Sequence, residues 1–295
     1  MNRRTFQHIF TLLNVDRVSL NSKWNYGNVI SPYHRIYLID EGEGELKDSN
    51  GPTRLEPGYL YIIPSFTLCT MSCNHHLGQY FVHFFEDSMD GTSLFTNNRF
   101  ILKVKATETD FRLFARLLEI NPGRGINRSD NPKLYEKDIF YKEYQELNNL
   151  QNVGEYMETQ GMLLQLAARF LSSNTLKQQD VKIIPVKIAE TLNYIQLNLH
   201  EELSVFNLAE RINQNPDYFS RQFKLYTGSR PVSYIHEKRV ERAQYLMATT
   251  KMTYQEIGAE TGFQDLSYFS KTFKKITGLS PREYKKQMYL IGFPS

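Results

Sequence analysis

Two cysteines, Cys69 and Cys73, are all that the 295 residues contain, too few for a disulfide framework in a chain of this size. Long apolar runs are missing as well. No stretch approaches the roughly 20 residues of a membrane-spanning helix, so no membrane partner is expected. The start, Met1-Asn2-Arg3-Arg4-Thr5-Phe6, is charged, and no sustained apolar core or small-residue cleavage site follows it, so the marks of a signal peptide are absent. These absences point to a cytoplasmic protein. Tryptophan occurs once, although Tyr and Phe number 19 each. Hydrophobic residues make up 41% and charged residues 23%, which excludes wholesale disorder.

Catalytic patterns are lacking too. An enzyme needs a metal triad or a nucleophile beside a base, and neither is visible. His34, His75, His76 and His83 contain no His-x-His pair, and Cys69, Cys73, His75 and His76 lack the spacing of a zinc finger. The expectation is a protein that is not an enzyme and holds no metal or cofactor.

What is present divides the chain. Its length fits two domains, and its charge is uneven. Residues 181–295 carry 16 Lys and Arg against 11 Asp and Glu, whereas the first 180 carry 19 against 21. A basic C-terminal part suits an anionic partner, although ordinary solvated surfaces show the same surplus. Residues 20 to about 90 read as strands: Arg35 to Asp40, a second from Glu45, Tyr59 to Ile63, and Gln79 to Phe85. Turn signals such as Gly42-Glu43-Gly44 and Pro57-Gly58 separate them. Short strands at this spacing predict an antiparallel sandwich or small barrel. From 106 the period becomes helical, with Phe111, Phe114, Leu117 and Leu118, and later Leu163, Leu164, Leu166, Ala167, Phe170 and Leu171. Between those groups lies the loop Asn121-Pro122-Gly123-Arg124-Gly125. The expected domains are a β-barrel over 1–105, a helical and dimerising segment over 106–173, with helix 159–171 as the seam, and a linker over 174–182. A further domain over 183–290 completes the chain.

Strand parity nominates an effector pocket in the first domain. Arg35, Tyr37 and Glu41 share one face of their strand, Cys69 and Met71 another, and Phe81 and His83 a third. Tyr and Arg with a carboxylate suit a polyhydroxylated ligand; the same residues also suit a packed core or an outer wall.

The last third repeats itself. Tyr218-Phe219-Ser220 and Phe223-Lys224 recur as Tyr268-Phe269-Ser270 and Phe273-Lys274, fifty residues on. Thr227-Gly228, Pro231 and Tyr234 recur as Thr277-Gly278, Pro281 and Tyr284. Upstream, Leu208-Ala209 and Asn213 correspond to Ile257-Gly258 and Gly262 at an offset of 49. Each copy reads as a helix capped by Ser204 or Thr253, a sharp turn at Asn213 or Gly262, and a second helix ended near Gly228 or Gly278. That is the unit whose second helix enters the major groove of DNA. At about 100° per residue, Phe219, Phe223 and Tyr226 face inward while Asp217, Arg221 and Lys224 face out, with Ser220 at the edge. In the second copy Ser267, Lys271 and Lys274 face out, flanked by Gln264 and Ser270. Arg221 and Lys271 suit base edges or phosphates, and Lys224 and Lys274 phosphates. A solvated helix face is the bland alternative. One continuous helix from Val232 to Ala248 is expected to hold the reading helices roughly 34 Å apart, for two successive major grooves of double-stranded DNA.

Residues 183–290 therefore resemble the double helix-turn-helix domain of the AraC/XylS family. The resemblance rests on Leu208-Ala209, the stretch from Tyr218 to Phe223, Arg239 with Ala243 and Leu246, and Ile257 to Phe263. It continues through Ser267 to Lys274, Gly278 and Pro281. One departure is Gly258, where the family usually has Ala. The resemblance implies a sequence-specific transcription regulator, an activator that touches RNA polymerase. Residues 20–90 are similar to the family's cupin-like sensor, which implies a jelly-roll barrel that binds a small-molecule effector such as a sugar or another catabolic metabolite, and a homodimer. The expected fold class is thus α+β and multidomain: an N-terminal antiparallel barrel with helices, then an all-α double helix-turn-helix. The alternative is a constitutive DNA binder whose barrel only dimerises.

Overall fold

The computed structural model describes residues 8–88, 93–95, 98–125, 138–171 and 185–289, so the segment 174–182, read as a linker, lies outside the described residues. The chain divides into two compact units, one chiefly His8–Asp87 with Ser93–Gln178, the other chiefly Gln179–Lys286.

The strands of the first unit are β1 (His8–Asn21), β2 (Asn25–Val29), β3 (His34–Gly42), β4 (Gly44–Asp48), β5 (Gly51–Leu55), β6 (Tyr59–Ile63), β7 (Cys69–Ser72), β8 (His76–Ser88) and β9 (Leu102–Lys105). They form two sheets, ordered β1-β8-β3-β6-β9 and β2-β7-β4-β5. β3 lies at the centre of the first, antiparallel to β6 and β8. Its side chains alternate, yet both of its faces are buried. Tyr37 and Ile39 meet Leu46, Leu55, Cys69 and Met71 of the second sheet, while Ile36 and Leu38 meet helices. A strand covered on both faces reads as an unbroken apolar run, and each large aliphatic side chain so buried contributes about 2 kcal/mol.

The expected closed barrel does not form. Among the described residues no ladder joins the two sheets; they meet face to face through side chains. The first sheet buries its other face under helices, so it is one layer of a stack rather than half of a ring.

Those helices are α1 (Glu108–Ile120), α2 (Asp138–Leu150) and α3 (Val153–Leu171). Phe114 and Leu117 of α1 and Met162, Leu163, Leu166 and Phe170 of α3 pack on Phe10, Ile36, Leu38, Leu60, Ile62 and Phe84. The start of α1 is fixed by buried Asp110, which accepts from the Thr107 backbone N–H at 2.7 Å and pairs with Arg169 of α3 at 3.2 Å. The opposite side of α3 exposes Val153, Met157 and Leu164, with Gly161 and Ala168 on the same stripe.

The second unit comprises α4 (Val186–Leu197), α5 (Val205–Arg211), α6 (Pro216–Thr227), α7 (Pro231–Thr249), α8 (Tyr254–Glu260), α9 (Leu266–Thr277) and α10 (Pro281–Tyr289). None of the described helices is long and apolar enough to cross a membrane. Among the described residues no group of three or more His, Cys, Asp or Glu is placed to hold a metal.

Candidate nucleic-acid interface

The internal repeat of the sequence is a repeat of interactions. Asn215 caps α6, its side-chain oxygen accepting from Asp217 N at 2.9 Å, and Asp265 caps α9 by accepting from Tyr268 N at 2.6 Å. Both helices stop at a glycine in the left-handed region, Gly228 at φ 84° and Gly278 at φ 79°. The hydroxyl of Thr227 donates to Phe223 O at 2.7 Å, and that of Thr277 to Phe273 O at 2.9 Å. Ring contacts match as well: Phe219 to Phe223 at 5.5 Å and Phe269 to Phe273 at 5.7 Å. Phe223 to Tyr234 and Phe273 to Tyr284 are both 5.4 Å. Edge-to-face pairs of this kind add about 1 kcal/mol to the area they bury.

The supporting helices repeat in the same way. Ser204 accepts from Asn207 N at 3.1 Å to cap α5, and Thr253 accepts from Glu256 N at 3.2 Å to cap α8. The turns that follow pass through Asn213 at φ 51° and Gly262 at φ 77°. Gly262 is required twice over. Besides its positive φ, a Cβ there would lie 2.2 Å from Leu199 O and 2.6 Å from an Arg239 nitrogen.

With Phe219, Phe223, Phe269 and Phe273 fully buried, the opposite faces of α6 and α9 are turned to solvent. Asp217, Arg221 and Lys224 are exposed on α6, with Ser220 half-buried. Gln264, Ser267, Lys271 and Lys274 are exposed at α9, with Ser270 half-buried. Each unit therefore presents two cations three residues apart on the outer face of its second helix, beside a small hydroxyl. Such a face offers guanidinium and ammonium donors to base edges and phosphate oxygens.

Two residues of α7 hold this arrangement together. The buried Arg239 guanidinium donates through Nε to Leu199 O at 3.0 Å and through a terminal nitrogen to Glu201 O at 2.6 Å, and it lies 5.7 Å from the Phe263 ring centre. Its role as a brace was not evident from the sequence. The available signal was a cation on the stripe Ile235, Arg239, Ala243, Leu246, which is otherwise apolar and wholly buried. His236 lies 3.2 Å from the Tyr268 hydroxyl and stacks on Phe263 at 6.2 Å. Burial, then Arg239 and Lys275, hold its pKa below the usual histidine value.

A family model described as a helix-turn-helix domain matches residues 208–287. Over 266 residues the chain is 24% identical to the arabinose operon regulatory protein of Escherichia coli K12, covering 85% of this chain and 79% of that one. The chain is thus similar to helix-turn-helix transcription regulators, the arabinose regulator among them. YobQ of Bacillus subtilis, an uncharacterized HTH-type transcriptional regulator, is 36% identical over 99 residues, 34% of this chain and 41% of its own length. Several Staphylococcus aureus regulators are 23% identical over 254 residues, which is 31% of their length, so the chain spans well under half of these relatives. ToxT of Vibrio cholerae, solved with an unsaturated fatty acid bound, covers 100% of both chains at 13% identity with a TM-score of 0.51, a likeness of fold alone.

In the first unit, most of the candidate effector residues come together. Arg35 and His83 are register partners, as are Tyr37 and Phe81. All four side chains are buried on the inner face of the first sheet, and Cys69 and Met71 face them from β7. The His83 ring lies 5.0 Å from that of Phe81. Burial, and then the Arg35 charge, hold the His83 pKa well below its ordinary value. Burial pushes the Cys69 thiol up, and Arg35 opposes that in part. Glu41 does not join them. An irregularity in the ladder between Ile39 and Glu41 breaks the parity, and Glu41 is exposed beside His76 at 3.1 Å and Arg17 at 3.5 Å.

Proposed function

We propose that the chain is an effector-controlled transcription activator that binds double-stranded DNA as a homodimer, with two reading helices per chain. The observation that carries this reading is the equivalence of α6 and α9 in cap, core, terminator and exposed cations. Arg221 and Lys271 contact base edges in successive major grooves, and Lys224 and Lys274 contact phosphates. Asp217, Ser220, Gln264, Ser267 and Ser270 line the contact. RNA polymerase is the further partner when the site lies beside a promoter.

The effector site is the inner face of the sandwich around Arg35, Tyr37, Cys69, Met71, Phe81 and His83. A buried guanidinium, a neutral imidazole and a phenol suit a polar metabolite such as a sugar. Two related proteins support small-molecule control by name or structure, one named for arabinose and one solved with a fatty acid; neither identifies this effector. The dimer seam is the exposed stripe of α3. Val153, Met157, Gly161, Leu164 and Ala168 fall within about 80° of one another around the helix. An antiparallel copy centred near Gly161 sets Val153 against Ala168 and Met157 against Leu164, as an isologous contact requires.

Selection of fragmented genomic DNA on the purified full chain, followed by sequencing, tests the reading. Enrichment of a bipartite motif with elements one helical turn apart is the expected result. A chain that enriches no motif, with or without added metabolite extract, overturns it.

A further inference from the structure

A second small-molecule site lies in the helical layer of the first unit, away from the sandwich interior. The loop Asn121–Gly125, the ends of α1 and α2 and the start of α3 line an open pocket of about 280 Å³. Its walls include Ile120, Pro122, Leu147 and Leu150, and Arg124 lines it. Arg124 is only 2% exposed. One terminal nitrogen makes two long hydrogen bonds, to Leu13 O and Tyr144 O, both 3.3 Å. The other is buried with no hydrogen-bond partner among the described residues. A buried cation with no counter-charge among the described residues is costly, and burial draws its pKa down to about 10.

We propose that this pocket binds a small monocarboxylic acid, with the carboxylate on Arg124 and a compact apolar body against Ile120, Pro122, Leu147 and Leu150. A carboxylate supplies the planar pair of acceptors that a guanidinium favours. Two further carboxylates line the pocket, Glu119 and Glu155. Glu119 is held by Arg116 at 3.0 Å, while Glu155 disfavours a second negative charge on the ligand. The site therefore selects one carboxylate rather than two. Because α3 carries the exposed stripe, occupancy also ties the loop and α2 to the start of the proposed dimer helix.

Titration calorimetry on the full chain tests this with cyclohexanecarboxylate, its neutral carboxamide and cyclohexane-1,4-dicarboxylate. The acid is expected to bind roughly tenfold or more tightly than the amide, and the dicarboxylate more weakly than the monoacid. Arg124→Gln is expected to abolish the preference for the acid. Since Arg124 also braces the loop, Leu150→Glu is the second variant: Leu150 is 81% exposed, so the change spares the fold but sets a carboxylate on the pocket wall. It is expected to weaken acid binding severalfold. Equal affinity for acid and amide overturns the assignment. So does acid binding that Leu150→Glu leaves unchanged, which would move the ligand to the sandwich interior. Selected-DNA binding by both variants without acid is expected to match the parent protein, so failure of this proposal leaves the DNA-reading proposal standing.

Discussion

Replacing Gly262 by Ala tests how tightly the two halves of the DNA-binding unit are locked. The backbone there has φ 77°, a region that costs an alanine about 1–2 kcal/mol. The added Cβ would stand 2.2 Å from Leu199 O and 2.6 Å from the Arg239 guanidinium, far inside contact distance. Relief requires the Leu199 carbonyl or Arg239 to move, which breaks at least one hydrogen bond of a buried charge, worth about 1.5–3 kcal/mol. The two effects together predict a loss of about 2.5–5 kcal/mol, a large share of the stability of any domain. Gly258→Ala is the natural control. Its Cβ would meet the Phe269 ring at 3.8 Å and Phe263 O at 3.9 Å, both ordinary contacts, and alanine favours the helix, so a gain of about 0.5–1 kcal/mol is expected. Urea unfolding of the full chain, with the helical unit's transition assigned by amide exchange, measures both. A Gly262→Ala loss below about 1 kcal/mol would refute the reasoning, because it would show that the turn slides to admit a side chain and that Arg239 is not pinned.

Arg221→Ala and Lys271→Ala are each expected to weaken specific DNA binding by about 1–3 kcal/mol and relax sequence preference; unchanged affinity in both removes them from the contact. Lys224→Ala and Lys274→Ala are expected to weaken binding to all sequences and reduce the salt slope by about one each, read by titration at several salt concentrations. His236 is held below the usual histidine pKa, so the unfolded chain takes up a proton before the folded chain does. Stability is then lost as pH falls below about 6.5, and His236→Gln is expected to lose less than the parent between pH 7 and 5; equal losses contradict the assignment. Met157→Glu and Leu164→Glu both alter exposed positions and are expected to give a folded monomer by sedimentation, whereas a persistent dimer moves the seam elsewhere.

The DNA-binding unit was legible because a fixed offset of fifty residues exposes a shared framework without any structure, and caps and glycines mark the ends. The first unit was harder. β1 begins at His8, although strand signals were read only from about residue 20; its buried run Leu12-Leu13-Asn14-Val15 does not alternate. α2 went unread although Phe140, Tyr144 and Leu147 recur at helical spacing. Parity placed six of the seven effector candidates on the sandwich interior and failed at Glu41, because one irregular step reverses every later side chain. Closure of a barrel depends on hydrogen bonding between edge strands, which turn spacing does not encode. Arg239 hid for a different reason. A charged residue on a helix reads as surface until the carbonyls of another element are known to receive it.

On the proposed reading, the duplicated unit keeps its scaffold and its DNA-contacting face on different residues. Phenylalanines, threonine, glycine, proline and tyrosine recur at matched positions and make the same contacts in both copies, while Arg221 answers to Lys271 and Asp217 to Ser267. Mutation can therefore rewrite what one copy recognises without touching what makes it fold, or what its twin recognises. The two halves of a binding site are free to drift apart in sequence, and a chain of this kind can acquire a new target one half-site at a time, keeping a working foothold on the old one throughout.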